Sequence, residues 1–130
     1  MLHIFVTCQS RYPADGKALK ERVRKVLVDR GVTDVQVSIA LVGARKMKDL
    51  AVKYLGEKED DEVHEVLSFP YAESKNDFIT PVESGLHLGD VVICYPEARK
   101  IAIKRNRMMD DVLGELAEHG TLHLLGIHHE

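Results

Sequence analysis

The chain has 130 residues, 45% hydrophobic and 30% charged, with a formal net charge of −3 at neutral pH. That length supports one domain with a genuine core but not two, so residues 1–130 read as a single domain. No run of about 18 apolar residues exists to cross a bilayer. The acidic balance gives no global attraction to nucleic acid, so any such surface must be local. The start, Met1 to Cys8, lacks a basic leader and a long apolar segment, and no secretory signal is expected.

In chain order, residues 2–8 read as a first strand, broken by Tyr12-Pro13 and Gly16. A helix is predicted to about Arg30. Leu19, Val23, Val26 and Leu27 form its apolar stripe, and Lys17, Lys20, Arg24 and Lys25 its other face. Gly31 stops it. Val35, Val37, Ile39 and Leu41 alternate with Gln36, Ser38 and Ala40, the pattern of a half-buried strand. Gly43 ends that strand, and Met47, Leu50, Ala51 and Tyr54 define a second amphipathic helix closed by Gly56. Glu57 to Glu62 is an acidic run of the kind that forms a solvated loop.

Val66 to Pro70 is a short strand that Pro70 terminates. Residues 71–87 read as a long loop, the kind that often carries function in a small domain. Asp90 to Tyr95 is the most continuous β run, expected to be covered on both faces. Pro96 and Glu97 suit a helix start, and the basic helix that follows, to about residue 109, carries Arg99, Lys100, Lys104, Arg105 and Arg107. A last helix, about 110–125, begins at Asp110-Asp111. Its stripe of Val112 and Leu116 continues into His119 and His123, which predicts imidazoles turned toward the sheet. This order predicts an α+β domain, with a small mixed sheet of about four strands packed with helices. Cys8 and Cys94 both lie in apolar runs and are expected to be buried thiols in a reducing cytosol.

Four of the seven histidines fall in residues 119–130, in the spacing H-x3-H-x2-G-x2-H. His119 and His123, four apart on a helix, share one face. Gly126 lets the chain leave the helix through a left-handed conformation, which swings His129 back toward the same point. Three neutral imidazoles with an open position describe a catalytic zinc site rather than a closed structural one. The bland reading is histidines set favourably against a helix C-terminus, worth only about 0.3–1 kcal/mol each. Against it, the interleaved Leu122, Leu124, Leu125 and Ile127 place the rings beside a core, where an unpaired polar ring is costly. The spacing also occurs in the metzincin signature, where a Glu base follows the first His. Here that position is Gly120, which cannot take a proton, so hydrolysis is favoured over proteolysis.

The run His119-Gly120-x-Leu122-His123-Leu124-x-Gly126-x-x-His129 resembles the H-G-x-L-H-L-x-G-Y-D-H signature of the YbeY family. Val66-Leu67-Ser68-Phe69-Pro70 resembles its T-D-V-L-S-F-P segment, and Leu88-Gly89-Asp90-Val91-Val92-Ile93 its L-G-D-I-V-I strand. The three matches occur in the family's order over about residues 30–130. The resemblance implies a zincin-like fold. It also implies a zinc-dependent endoribonuclease specific for single-stranded RNA, cytoplasmic, serving 16S ribosomal RNA 3′-end maturation and ribosome quality control. One zinc ion would be held by His119, His123 and His129. The partners implied are ribosomal RNA and the small ribosomal subunit, with no DNA and no membrane.

The departures from the family pattern are specific. Ile127-His128 replaces its Tyr-Asp, His64-Glu65 replaces its Thr-Asp, and Leu55 follows Tyr54 where the family has an Arg. Losing that guanidinium removes a phosphate clamp. His128 or Glu65 is the candidate for shuttling a proton, or either stands idle in solvent. Ser68 is either a hydrogen-bond donor in the site or a strand serine satisfied by backbone. The basic residues Lys17, Lys20, Arg24 and Arg99 to Arg107 either track an RNA backbone or simply solvate two helices. Few aromatic residues are available to stack bases. The competing readings are a metal-dependent peptidase and a non-catalytic, zinc-containing ribosome-associated factor.

Overall fold

The periodicities above become eight elements in a computed structural model, which describes residues 2–8, 11–70 and 86–127. They are β1 (His3–Thr7), α1 (Gly16–Asp29), β2 (Val35–Val42), α2 (Ala44–Leu55), β3 (Val66–Pro70), β4 (Leu86–Cys94), α3 (Tyr95–Arg105) and α4 (Met109–Leu124). The sheet order is β1-β2-β4-β3. β1, β2 and β4 run parallel, and β3 closes the edge antiparallel to β4. The predicted sequence of strands and helices is therefore the observed one. Residues 71–85 of the predicted loop lie outside the described residues, and His87 belongs to β4.

Each face of the sheet has its own core. On one face Val37, Ile39, Val91 and Ile93 pack with Leu19, Val23 and Leu27 of α1 and with Leu113, Ala117 and Leu124 of α4. On the other, Phe69, Val92 and Cys94 meet Met47 and Leu50 of α2. In β2 Val35, Val37, Ile39 and Leu41 are buried and Ser38 and Ala40 half-buried, the alternation expected of that strand, and Gln36 alone of the polar side is buried. Cys94 is buried as expected, and burial pushes its thiol pKa up. Cys8, just past the end of β1, is exposed.

α1 begins at Asp15, whose carboxylate accepts from the Ala18 N–H at 3.0 Å, a side-chain cap on an otherwise unsatisfied helix end. Arg22 of α1 then reaches across to Glu118 of α4, donating at 2.8 and 3.1 Å. This half-buried fork fixes the rotation of α4 about its axis.

That rotation turns Gly120 onto the sheet. A Cβ built there would lie 2.5 Å from Val91 Cγ1 and 3.1 Å from Ser68 Oγ. The helix touches β3 and β4 at the distance that a bare Cα allows. Alanine in place of a helical glycine gains about 1 kcal/mol of propensity, whereas overpacking a filled core costs about 1–3 kcal/mol. Overpacking should win: Gly120→Ala is expected to lower the urea midpoint with the slope unchanged. A variant as stable as the parent would show that the helix can lift without penalty.

Candidate functional site

α4 presents His119 and His123 one turn apart, their ring centroids separated by 4.3 Å and their planes inclined at 53°. Both are half-buried. The expected inward orientation is corrected here. The sheet-facing stripe is Leu113, Ala117, Gly120, Thr121 and Leu124, and the two rings lie on the flank beside it. A glycine between them is the reason: it occupies the angular position nearest the sheet and leaves the flank to its neighbours. The buried Thr121 hydroxyl is satisfied by donating to the Ala117 carbonyl at 2.8 Å.

The helix ends as the glycine spacing predicts. Gly126 adopts φ +82°. Its N–H donates to the His123 carbonyl, and that of Ile127 to the Leu122 carbonyl, each at 2.9 Å. These two bonds around a left-handed residue form a Schellman closure. Of the residues singled out in the sequence, Ser68 alone is tied to the turn between the two histidines. Ser68, on β3, donates its hydroxyl to the Gly120 carbonyl at 2.8 Å, tying the edge strand to the turn that separates the two histidines. Glu65 stands exposed just before β3, and its carbonyl accepts from the Cys94 N–H at 2.9 Å. Three residues of extended chain, about 10 Å, separate it from Ser68, so the two are not gathered at one point. Leu55, at the end of α2, is 47% exposed.

His128 and His129 lie outside the described residues. Among the described residues no three His, Cys, Asp or Glu side chains form a metal-binding group. The fit to zinc therefore rests on the pair itself. Two adjacent imidazoles, half-buried nitrogen donors against an apolar frame, suit that ion.

Two features escaped the sequence reading. Glu115 lies one turn before His119 on the same helix face, and Arg107 grips it, with Nη1 to Oε1 at 2.6 Å. The Arg107 hydrogen bond holds the Glu115 carboxyl below the ordinary carboxylate range. On the opposite face of the sheet, His87 Nε2 stands 3.7 Å from Asp90 Oδ1, both buried. A register shift between Gln36 and Val37 inserts an extra residue into β4 and so brings both side chains to one face. The bidentate Arg107 contact joins the segment between α3 and α4 to the middle of α4, a pairing no periodicity encodes.

An α+β frame whose last helix carries a histidine pair against the edge of a mixed four-stranded sheet defines the structural class. The family model described as endoribonuclease YbeY matches residues 6–130, and the chain belongs to that family. A Thermus thermophilus relative named endoribonuclease YbeY is 36% identical over 118 residues, covering 88% of this chain and 79% of the relative. One of the same name from Dehalococcoides mccartyi is 38% identical over 103 residues. That match covers 73% of this chain but only 58% of the relative's length. The solution structure of TM1509 from Thermotoga maritima superposes with a TM-score of 0.55 at 26% identity, covering 100% of this chain and 75% of that one.

Since the folded-state pKa of Glu115 is lowered, its contribution to stability is present above the ordinary carboxylate range and fades as pH falls through the folded value. Arg107→Ala should shift the Glu115 titration upward, as followed by side-chain carbonyl NMR. A titration that stays in place would mean that the guanidinium is not its cause.

Proposed function

We propose that this chain is a zinc-dependent endoribonuclease acting on single-stranded RNA, in ribosomal RNA processing at the 16S 3′ end and in ribosome quality control in the cytoplasm. The observation that carries the reading is the His119–His123 pair, 4.3 Å between ring centroids, on the outer flank of a helix seated on the sheet by Gly120. Relatives of the same family carry the name endoribonuclease, which supports RNA as the substrate class.

Phosphodiester hydrolysis needs a nucleophile, neutralisation of charge on the phosphoryl oxygens, and a proton for the departing oxygen. A zinc ion held by His119, His123 and His129 would supply water acidified to a pKa near roughly 7 and a Lewis acid for a phosphoryl oxygen. The chain does the rest. His119 and His123 hold from adjacent turns, so their mutual geometry is set by α4 itself. Ser68 commits its proton to the Gly120 carbonyl, which makes it a positioning residue that fixes that turn against β3. His128, next to His129 in the sequence, is the remaining proton carrier. Glu65 stays in solvent at the far end of β3.

A peptidase is disfavoured on structural grounds as well as chemical ones. A base at position 120 would point into Val91, not toward the histidine flank. One observation favours a second reading, that of a zinc-containing ribosome-associated factor without turnover. The exposed Leu55 offers no cation to a phosphate where the family pattern has Arg.

The deciding experiment uses protein purified without an affinity tag. The parent should hold about one zinc and cleave single-stranded RNA but not casein, and His123→Ala should lose metal and cleavage together while keeping its circular dichroism. Unaltered cleavage by the variant would overturn the enzyme reading. A zinc-loaded parent that binds small subunits and cuts no RNA would establish the second reading instead.

A further inference from the structure

The Arg107 guanidinium grips a carboxylate that stands on the histidine face of α4. Its fork meets Glu115 through both arms, Nη1 to Oε1 at 2.6 Å and Nη2 to Oε2 beside it. Glu115, His119 and His123 recur every four residues and so share one flank of the helix. His119 lies about 6 Å beyond Glu115 along the axis. The contact is at the surface, with the Glu115 side chain 47% exposed and that of Arg107 33%.

The turn between α3 and α4 is closed by backbone. The Arg107 N–H donates to the Ala102 carbonyl at 2.9 Å and that of Asn106 to the Ile103 carbonyl at 3.3 Å, around the left-handed Asn106. Water and salt screen an exposed ion pair, so the Arg107–Glu115 contact adds little to that closure. The other fork on α4 differs. Arg22 is wedged against the helix, where a Cβ at Gly114 would lie 2.4 Å from its Nη1. Arg107 instead lines an open groove of about 570 Å³ with Tyr95, Arg99, Ile103 and Asn106.

A carboxylate and the two non-bridging oxygens of a phosphodiester present the same two-acceptor edge to a guanidinium. Glu115 therefore fills the fork with a group that a phosphate can replace. A strand lying on the histidine flank brings negative charge toward Glu115, which repels it, and toward Arg107, which attracts it. Both forces favour passing the fork from carboxylate to phosphate.

We propose that Arg107 binds a phosphate flanking the one at the His119–His123 face, and that Glu115 is the internal competitor exchanged for it. The proposal rests on the reading of the chain as an RNA-acting enzyme. It adds one subsite, together with the residue that occupies its guanidinium in the free protein.

The test is binding of a fluorescein-labelled single-stranded RNA of mixed sequence, followed by anisotropy across a salt series. The background is the His123→Ala protein, so that cleavage does not consume the probe. Arg107→Ala should weaken binding about fivefold or more at roughly 50 mM salt and flatten log affinity against log salt by about 0.7, one phosphate contact to a single strand. Glu115→Gln should act in the opposite sense, tightening binding about threefold or more, because the fork is released and a repelling charge is gone. A charge-matched control separates this from net charge. Arg24→Ala and Glu21→Gln each alter a pair on α1, 3.7 Å apart, and should leave affinity and slope nearly unchanged.

If Arg107→Ala and Glu115→Gln weaken binding alike, the contact only braces the turn and the subsite is overturned. It is overturned equally if either variant binds as its background does, or if the α1 controls reproduce the opposite shifts. If neither the unsubstituted chain nor the His123→Ala protein binds RNA, the RNA-enzyme reading fails and takes the subsite with it. All four substitutions alter side chains at the surface, and equal urea midpoints verify that folded proteins are being compared.

Discussion

The closeness of α4 to the sheet at Gly120 governs the rest of the architecture. A single missing methylene lets the helix backbone settle against Val91, with the Gly120 carbonyl in reach of the Ser68 hydroxyl. With 120 turned to the sheet, the 3.6-residue period leaves 119 and 123 on the flank, half-buried and adjacent. The Arg22–Glu118 fork holds the same rotation from the α1 side. Van der Waals contact on one side of the helix and a charge-assisted bond on the other thus aim two imidazoles without either being a core residue.

Much of this was legible in the chain. Alternation in residues 35–41 and the apolar run 90–95 identify the two central strands, and the stripes Leu19-Val23-Leu27 and Met47-Leu50-Ala51 identify the first two helices. The spacing through Gly126 foretells a left-handed helix end, because φ +82° is open to glycine at no steric cost. What periodicity misses is which residue of a stripe faces the sheet when the stripe contains a glycine. Val112 and Leu116 lead the eye to His119 and His123 as inward residues, whereas the bare position beside them takes that place. Gln36 escaped as well: alternation marks it as the polar side of β2, and it is buried there while Ser38 and Ala40 on the same side stay half-buried. The Arg107–Glu115 and His87–Asp90 contacts depend on tertiary placement and on a register shift, neither of which leaves a local signature.

Electrostatics complete the picture at short range. A chain of net negative charge has no long-range pull on a polyanion, so what matters is where positive charge is left over after internal pairing. On α1 Arg22, Arg24 and Lys25 pair with carboxylates of the fold, and on α3 Lys100 pairs with Glu97.

X-ray absorption at the zinc K-edge, on protein purified without an affinity tag, tests the central claim most directly. Convergence of His119, His123 and His129 on one ion predicts a first shell of three imidazole nitrogens and one oxygen at about 2.0–2.1 Å, with the imidazole multiple-scattering pattern. A shell containing sulfur, fewer than three imidazoles, or protein that retains no zinc after tag-free purification would contradict it.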